Sequence, residues 1–277
     1  MKIAYQGVQG AFSWQAGIQQ FGAQASYIGL RSFKELFKAV ENGTADFAVV
    51  PYENSLIGTI YENCNLLAAA DLEIVAESYL RIEHSLLVLP EVTDLKQIEK
   101  VYSHPKALEQ CRHFFASHPW IVPVVHEDTA GAAQEIATQQ KGAIAHAGCA
   151  ALYGLNVLLA NIEDDKKNYT RFIFVRKKGI EQEEWDKATV FFELKNRPGD
   201  LHRVLGLIAE KQVNVTQIVS RPIVGKPFEY TFYIDLQWNQ TLTNHAAFLE
   251  LLARLRENTE QFRCLGIYEG KIYEQTR

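Results

Sequence analysis

Short apolar runs that read as strands alternate with amphipathic helical patterns from Lys2 to Arg176, and the alternation stops near residue 177. A βα rhythm of this kind implies a mostly parallel sheet with helices on both faces. Lys2–Gln6 opens as a strand and runs through a glycine-containing turn into a helix over 13–21. A short strand over 25–29 follows. Ser32 can then cap a helix that lines up Phe33, Leu36, Phe37 and Val40 on one face. D-F-A-V-V-P (46–51) reads as a buried strand ending in the loop 52–58.

A second βα set begins near His84. Strands are predicted over 85–90, 100–103, 119–125 and 142–146, with helices over 104–115, 128–140 and on to Tyr153. Proline at 105 suits a first helical turn. The strand 172–176 closes this half. Two βα sets imply two lobes, with a cleft where their loops meet.

Beyond residue 177 the texture changes. The charged stretch 177–187 is of the kind found between domains. It leads to a strand (188–195), a loop N-R-P-G-D (196–200), a helix (201–211), strands over 213–224 and 228–237, a helix (244–258) and a strand (262–269). That order, βαββαβ in ~90 residues, is the split βαβ sandwich. The chain is thus predicted to carry two domains, 1–178 and 188–270, consistent with its 277 residues.

Several functions are disfavoured. Net charge is −5, which argues against non-specific nucleic-acid binding. No apolar run approaches the ~20 residues that cross a bilayer, and M-K-I-A-Y-Q-G-V-Q-G lacks a secretory h-region, so a cytoplasmic location is expected. The four cysteines form no CxxC pair and are expected to be free and mostly buried. There is no G-x-x-x-x-G-K-[ST], G-x-G-x-x-G or H-E-x-x-H, and the eight histidines show no ligand spacing. Neither cofactor nor metal is expected.

What remains is a set of polar clusters at strand ends facing helix starts: G-V-Q-G-A-F-S (7–13), P-Y-E-N-S (51–55), S-H-P (103–105), D-T-A-G (128–131) and N-Y-T-R (168–171). Ligands of open α/β sheets sit beyond the carboxyl ends of strands, where free helix N–H groups favour an anion. Each cluster alone is equally well read as a helix cap. Five together, with Arg171 at a strand end, point to a small anionic ligand in a cleft.

In order, G-V-Q-G-A-F-S, V-P-Y-E-N-S-L-I-G, S-H-P-K-A-L-E-Q-C, D-T-A-G-A-A and N-Y-T-R-F resemble the prephenate dehydratases. N-R-P-G-D-L and S-R-P resemble the small-molecule-binding ACT domain that follows the catalytic domain in that family, so the likeness covers nearly the whole chain. The resemblance implies a two-lobed catalytic domain similar to type II periplasmic binding proteins, followed by a ferredoxin-like ACT domain. It implies conversion of prephenate to phenylpyruvate, carbon dioxide and water, without a cofactor, in phenylalanine synthesis. Thr170 matches the threonine of the family's T-R-F motif; its hydroxyl can donate toward the departing hydroxyl. Arg171 is the second catalytic candidate, to hold a carboxylate or to orient the site through an ion pair. Asn54, Ser55, Ser103 and Thr129 are candidate substrate-positioning donors. Phe172 is grouped with them or packs against the lobe. Glu53 is expected to organise its loop, because a carboxylate beside a dianion repels it.

The sequence also departs from the family pattern. His146 stands where many relatives have a small hydroxyl residue. In the ACT segment the usual G-A-L is Gly199-Asp200-Leu201, and the usual E-S-R-P is Val219-Ser220-Arg221-Pro222. Those two motifs carry phenylalanine recognition in relatives, so L-phenylalanine is the expected effector, and Asp200 is a candidate new partner for its amino group. The family also implies a homodimer or homotetramer. Two alternatives stand beside this reading: arogenate dehydratase, the same chemistry on an amino-acid analogue, and a non-catalytic amino-acid sensor.

Overall fold

The structure, a computed structural model, describes residues 1–136, 138–179, 185–223, 225–239 and 244–271. The chain divides into two compact units, one built from Met1–Gly58 and Ser78–Phe172, the other from Thr59–Glu77 and Ile173–Arg277.

In the first unit, Lys2–Gln6 lies between Ser26–Leu30 and Phe47–Asn54, parallel to both. Ile3 and Ala4 are fully buried there, as a strand covered on both faces requires. The helix Phe33–Glu41 starts at Ser32 through a capping box in which the Ser32 hydroxyl accepts from the Glu35 amide and the Glu35 carboxylate accepts from the Ser32 amide. It buries Leu36, Phe37 and Val40, the face read from the sequence. The strand Tyr169–Lys177 neighbours Phe47–Asn54.

A second sheet in this unit has the order Asn156–Leu159, Ser85–Val88, Lys141–Ala145, Lys100–Ser103, Val122–Val125. Ser85–Val88 runs antiparallel to both neighbours, and all four of its residues are buried. The other pairings are parallel. The two sheets are the two expected α/β lobes. At Gly10 the backbone has φ +90°, and a Cβ would stand 2.8 Å from the Cys149 sulfur, so the turn into the helix Phe12–Phe21 admits glycine alone.

Three boundaries differ instructively from the sequence reading, and two elements are additional. The helix expected over 104–115 is broken into Pro105–Glu109 and Arg112–Ser117. The Asp164 carboxylate accepts from the Arg112 and His113 amides, both at 3.0 Å, and so caps a fresh helix start from about fifty residues away in sequence. The helix expected over 128–140 is only Thr129–Gln134, and residue 137 lies outside the described residues. The strand expected at 172–176 begins at Tyr169, which places Thr170 and Arg171 inside it. Its polar start is held by Ser55, whose amide donates to the Tyr169 carbonyl at 2.8 Å and whose hydroxyl accepts from the Tyr169 amide at 2.9 Å. The helix Tyr61–Ala69 and the ten-residue strand Leu72–Arg81 were not expected at all.

The second unit has the strand order Asn214–Pro222, Tyr230–Gln237, Lys187–Leu194, Glu260–Tyr268, with Leu72–Arg81 beside the last. The first four pair antiparallel in the βαββαβ arrangement read from the sequence. Residues 180–184 of the charged connection and residue 224 of the expected second strand lie outside the described residues. Helices Asp200–Glu210 and His245–Asn258 close the core with Val204, Ile208, Phe248, Leu251 and Leu255. The Trp238 ring stacks on Phe248 at 3.7 Å between centroids. Gly266 lets Leu72–Arg81 approach, because a Cβ there would collide with the Ile74 carbonyl. The Lys187 ammonium lies 2.9 Å from each oxygen of the Glu77 carboxylate, at 3% and 0% exposure, and the Lys271 amide also donates to Glu77.

Candidate active site

A chain of side-chain amides crosses the first unit. It starts at Asn54, the last residue of its strand, whose Oδ1 accepts from the Leu56 and Ile57 amides, both at 3.0 Å. Asn54 Nδ2 then donates to Asn168 Oδ1 at 2.8 Å and to Thr170 Oγ1 at 3.0 Å. Asn168 Nδ2 donates to Gln110 Oε1 at 3.0 Å, and His84 Nε2 lies 2.9 Å from the same oxygen. The His84 amide donates to Glu163, whose carboxylate also meets Arg81 at 3.3 Å and Lys166 at 3.1 Å. Asn54, His84, Glu163, Asn168 and Thr170 are all under 9% exposed. Buried polar groups are paired because an unpaired one carries its desolvation penalty.

This chain assigns Thr170 a direction. Its oxygen accepts from Asn54, which leaves the hydroxyl hydrogen to be given to something else. The adjacent residues of the strand, Tyr169 and Arg171, alternate to the other face, and Phe172 returns to the face of Thr170. Arg171 is 3% exposed with its guanidinium 5.2 Å from the Tyr52 ring centroid, and Phe172 is 2% exposed. Phe172 therefore packs in the core, the second of its two expected placements.

The remaining candidates are placed differently. The Ser55 hydroxyl donates to the Lys167 carbonyl at 2.8 Å and accepts from Tyr169, so it stitches loop to strand. Ser103 is fully buried, and its hydroxyl donates to the Ile144 carbonyl at 2.6 Å, so the donor expected for substrate is committed to the sheet. Thr129 opens the helix Thr129–Gln134, with Asp128 accepting from the Gly131 amide as its cap. Gln110, His84, Asn168 and Glu163 were not singled out from the sequence as site residues, although Gln110 and Asn168 lie in quoted motifs. Nothing local marks them, since Asn54 and Asn168 are 114 positions apart.

Burial lowers the His84 pKa, against the raising effects of the Gln110 hydrogen bond and Glu163. Burial also lowers His146 and His104. His146 Nδ1 accepts from the Gly148 amide at 3.0 Å, and the Phe12 ring stands edge-on to both His146 and His84. Burial pushes the Cys149 thiol up to about 12 and the Cys111 thiol higher still. No described cysteine is bonded to another.

Beside Asn168 and Gln110 opens a cavity of about 500 Å³, also lined by Leu56, Ile57, Lys106 and Arg112. The second unit holds a larger cavity of about 840 Å³, lined by Trp185, Phe262 and Arg263 among others, which contains no member of the amide chain. Convergent polar groups, rather than volume, mark the first as the site. Among the described residues no three metal-ligating side chains cluster, and no helix is long and apolar enough to cross a membrane.

The sequence profile described as Prephenate dehydratase matches residues 3–180. The chain belongs to the prephenate dehydratase family. A profile described as ACT domain matches residues 188–237. Among curated relatives, a bifunctional chorismate mutase/prephenate dehydratase of Aquifex aeolicus is 31% identical, the match covering 99% of this chain and 75% of the relative. An arogenate dehydratase of Petunia hybrida is 36% identical, over 97% and 71%. A solved prephenate dehydratase from Arthrobacter aurescens, in complex with L-Phe, is 31% identical with a TM-score of 0.86, over 98% of this chain and 90% of that one. A structure described as a novel type of quorum quenching acylase is also 31% identical, with a TM-score of 0.87 over 99% of both chains. The relatives named as prephenate dehydratases are lyases of aromatic amino-acid synthesis.

In this prephenate dehydratase family member, the ACT residues are arranged within the second unit. Gly199 has φ +86° and precedes the helix Asp200–Glu210. The Asp200 carboxylate is ion-paired with Arg203 one turn along, which occupies the group that sequence reading offered to an effector's amino group. Leu201 packs against the unit's core. Ser220 and Pro222 are exposed on their strand, and the Arg221 guanidinium lies 4.1 Å from the Tyr61 ring centroid.

Proposed function

We propose that this chain catalyses the decarboxylating dehydration of prephenate to phenylpyruvate. As the ring carboxylate leaves as carbon dioxide, its bonding pair makes the ring aromatic and the C4–O bond breaks. Hydroxide departs with that electron pair and takes its proton from water. Aromatisation drives the reaction, so the protein has to position a dianion and stabilise the departing oxygen. Thr170 supplies the hydrogen bond to that oxygen. The observation that carries this reading is the Asn54 amide donating to Thr170, which leaves the hydroxyl free to donate. Amide donors suit a dianion better than carboxylates would; the cavity wall itself sets Lys106 and Arg112 beside Glu109, Asp164 and Asp165, with Lys106 paired to Glu109 and Arg112 to Asp164. Arg171, buried against Tyr52, takes the orienting role of the two it was given. Thr129 remains the substrate-positioning candidate; Asn54, its two amide hydrogens given to Asn168 and Thr170, acts through Thr170, with Ser55 and Ser103 holding the backbone around them.

The proposal extends to a catalytic domain over 1–178 and an ACT domain over 188–270, in a cytoplasmic homodimer or homotetramer that L-phenylalanine regulates. The complex of the Arthrobacter relative with L-Phe supports the effector. The Asp200–Arg203 pair and apolar Val219 predict weaker inhibition than an unaltered site would give. Arogenate is the second substrate to test, because a relative 36% identical is named for it.

Purified protein is offered prephenate and arogenate separately, with and without L-phenylalanine, and product and carbon dioxide are followed. Turnover of prephenate is expected; turnover of neither compound refutes the enzyme reading. Thr170→Ala should lose about a hundredfold or more in kcat with an unchanged melting midpoint. Full kcat in that variant overturns the role of Thr170. Light scattering reads the assembly.

A further inference from the structure

The amide chain fixes more than Thr170. Asn54 Oδ1 faces two backbone N–H groups, so that atom can only be the oxygen. Its Nδ2 is then the donor to Asn168, which makes the atom it meets the Asn168 oxygen. Asn168 Nδ2 must in turn donate, and the atom it meets is the Gln110 oxygen. That oxygen can only accept, so His84 Nε2 carries the proton. Two backbone amides at Leu56 and Ile57 therefore determine, through three side chains, the tautomer of a histidine in the other lobe of the same unit.

The consequence falls on the other ring nitrogen. His84 is 2% exposed, and its Nδ1 has no hydrogen-bond partner among the described residues. In the neutral ring that nitrogen is a bare acceptor, and leaving a buried acceptor unmatched costs about 1–3 kcal/mol. His84 is not loosely placed, because its amide is held by Glu163 and its carbonyl by the Ile162 amide. The groups that face it are Gln110, Glu163 and His146, with Phe12 edge-on at 5.8 Å; Arg81 reaches it only through Glu163. Burial keeps the ring neutral, which preserves the lone pair.

We propose that His84 Nδ1 is a substrate-binding acceptor that takes a hydrogen bond from a donor group of the bound cyclohexadiene. This rests on the dehydratase reading above. Prephenate offers one donor, its ring hydroxyl, because its other oxygens belong to carboxylates and a ketone. Arogenate adds an ammonium group. The same amide chain thus holds a donor, Thr170, at one end and an acceptor, His84, at the other.

Two substitutions separate this role from a structural one. His84→Asn places an amide atom near the position of Nδ1 but loses the reach to Gln110. His84→Gln places one near Nε2, keeps Gln110, and has nothing at Nδ1. Wild type, His84→Asn and His84→Gln are assayed on prephenate and on arogenate, with melting midpoints measured alongside. The expected result is that His84→Gln loses at least about tenfold more kcat/KM than His84→Asn. A loss on both substrates identifies the ring hydroxyl as the donor, and a loss on arogenate alone identifies the ammonium. Equal retention, or His84→Gln outperforming His84→Asn, overturns the proposal. Absence of turnover by wild type would instead refute the dehydratase reading. Independently of any variant's folding, ¹⁵N-histidine NMR of the wild type at neutral pH should show His84 Nδ1 without a proton; a protonated Nδ1 also overturns it.

Discussion

Asn54 and Asn168 in the first unit, and Lys187 with Glu77 in the second, are all withdrawn from water, yet they hold their surroundings by different means. The amides are uncharged and each has a donor end and an acceptor end, so a chain of them carries a direction from one residue to the next. The ion pair has no such polarity. An ammonium equidistant from two carboxylate oxygens fixes a position, and the same carboxylate also accepts from the Lys271 amide. The amide arrangement therefore belongs where a reacting group must be presented one way round. The ion pair belongs where two chain segments distant in sequence must be tied together.

The comparison is broken most forcefully at Glu77. Glu77→Ala strands the Lys187 ammonium in the core and should cost about 3–5 kcal/mol of stability, read from the denaturant midpoint. Replacing both partners with apolar residues of similar volume, Glu77→Leu with Lys187→Met, should recover most of that loss. If the double variant is as unstable as the single one, the pair is more than a tether. Next in size is Asn54→Asp, which keeps an acceptor for Leu56 and Ile57 but turns the donor facing Asn168 and Thr170 into an acceptor. It should lower kcat by about a hundredfold, with a far smaller change in melting midpoint. Undiminished kcat would show that direction in the chain does not matter.

The smallest effect is the response to acid. His84, His104 and His146 all have pKa values lowered by burial from the ordinary 6.5. Below 6.5 the unfolded chain binds protons that the folded chain refuses, so stability falls as pH drops through that window and is fully present above it. A melting midpoint that stays flat between pH 7 and about 5.5 would contradict those shifts.

Local patterns were readable because their physics is local. Ser32 three residues before Glu35, the apolar face of the helix behind it, and the βαββαβ order each depend on neighbours within a turn or a strand. Thr170 was readable through its motif, although its place inside a strand was not. That placement depends on Ser55, which meets Tyr169 across 114 positions. Gln110 looked like an interior residue of a helix over 104–115, and His84 like any histidine before a strand. Their roles exist only once Asn168 and Asn54 are brought beside them. The strand Leu72–Arg81 was hidden for a related reason. Glu73 and Glu77 look exposed in sequence, yet Glu77 is fully buried because Lys187, 110 positions away, neutralises it. Asp200 shows the converse: it looked available to a ligand, and the fold had already matched it with Arg203.

The buried thiols have a practical consequence. Cys64, Cys111 and Cys149 are fully covered, and those of Cys111 and Cys149 strongly resist ionisation. The thiolate is the nucleophile toward alkylating reagents, so these positions stay silent while the fold around each of them remains closed. Cys111 follows Gln110 in sequence, and Cys149 lies against Gly10. The rate at which they become modifiable is therefore an internal clock for the opening of the fold around the chemistry, present in the natural sequence without any engineered probe.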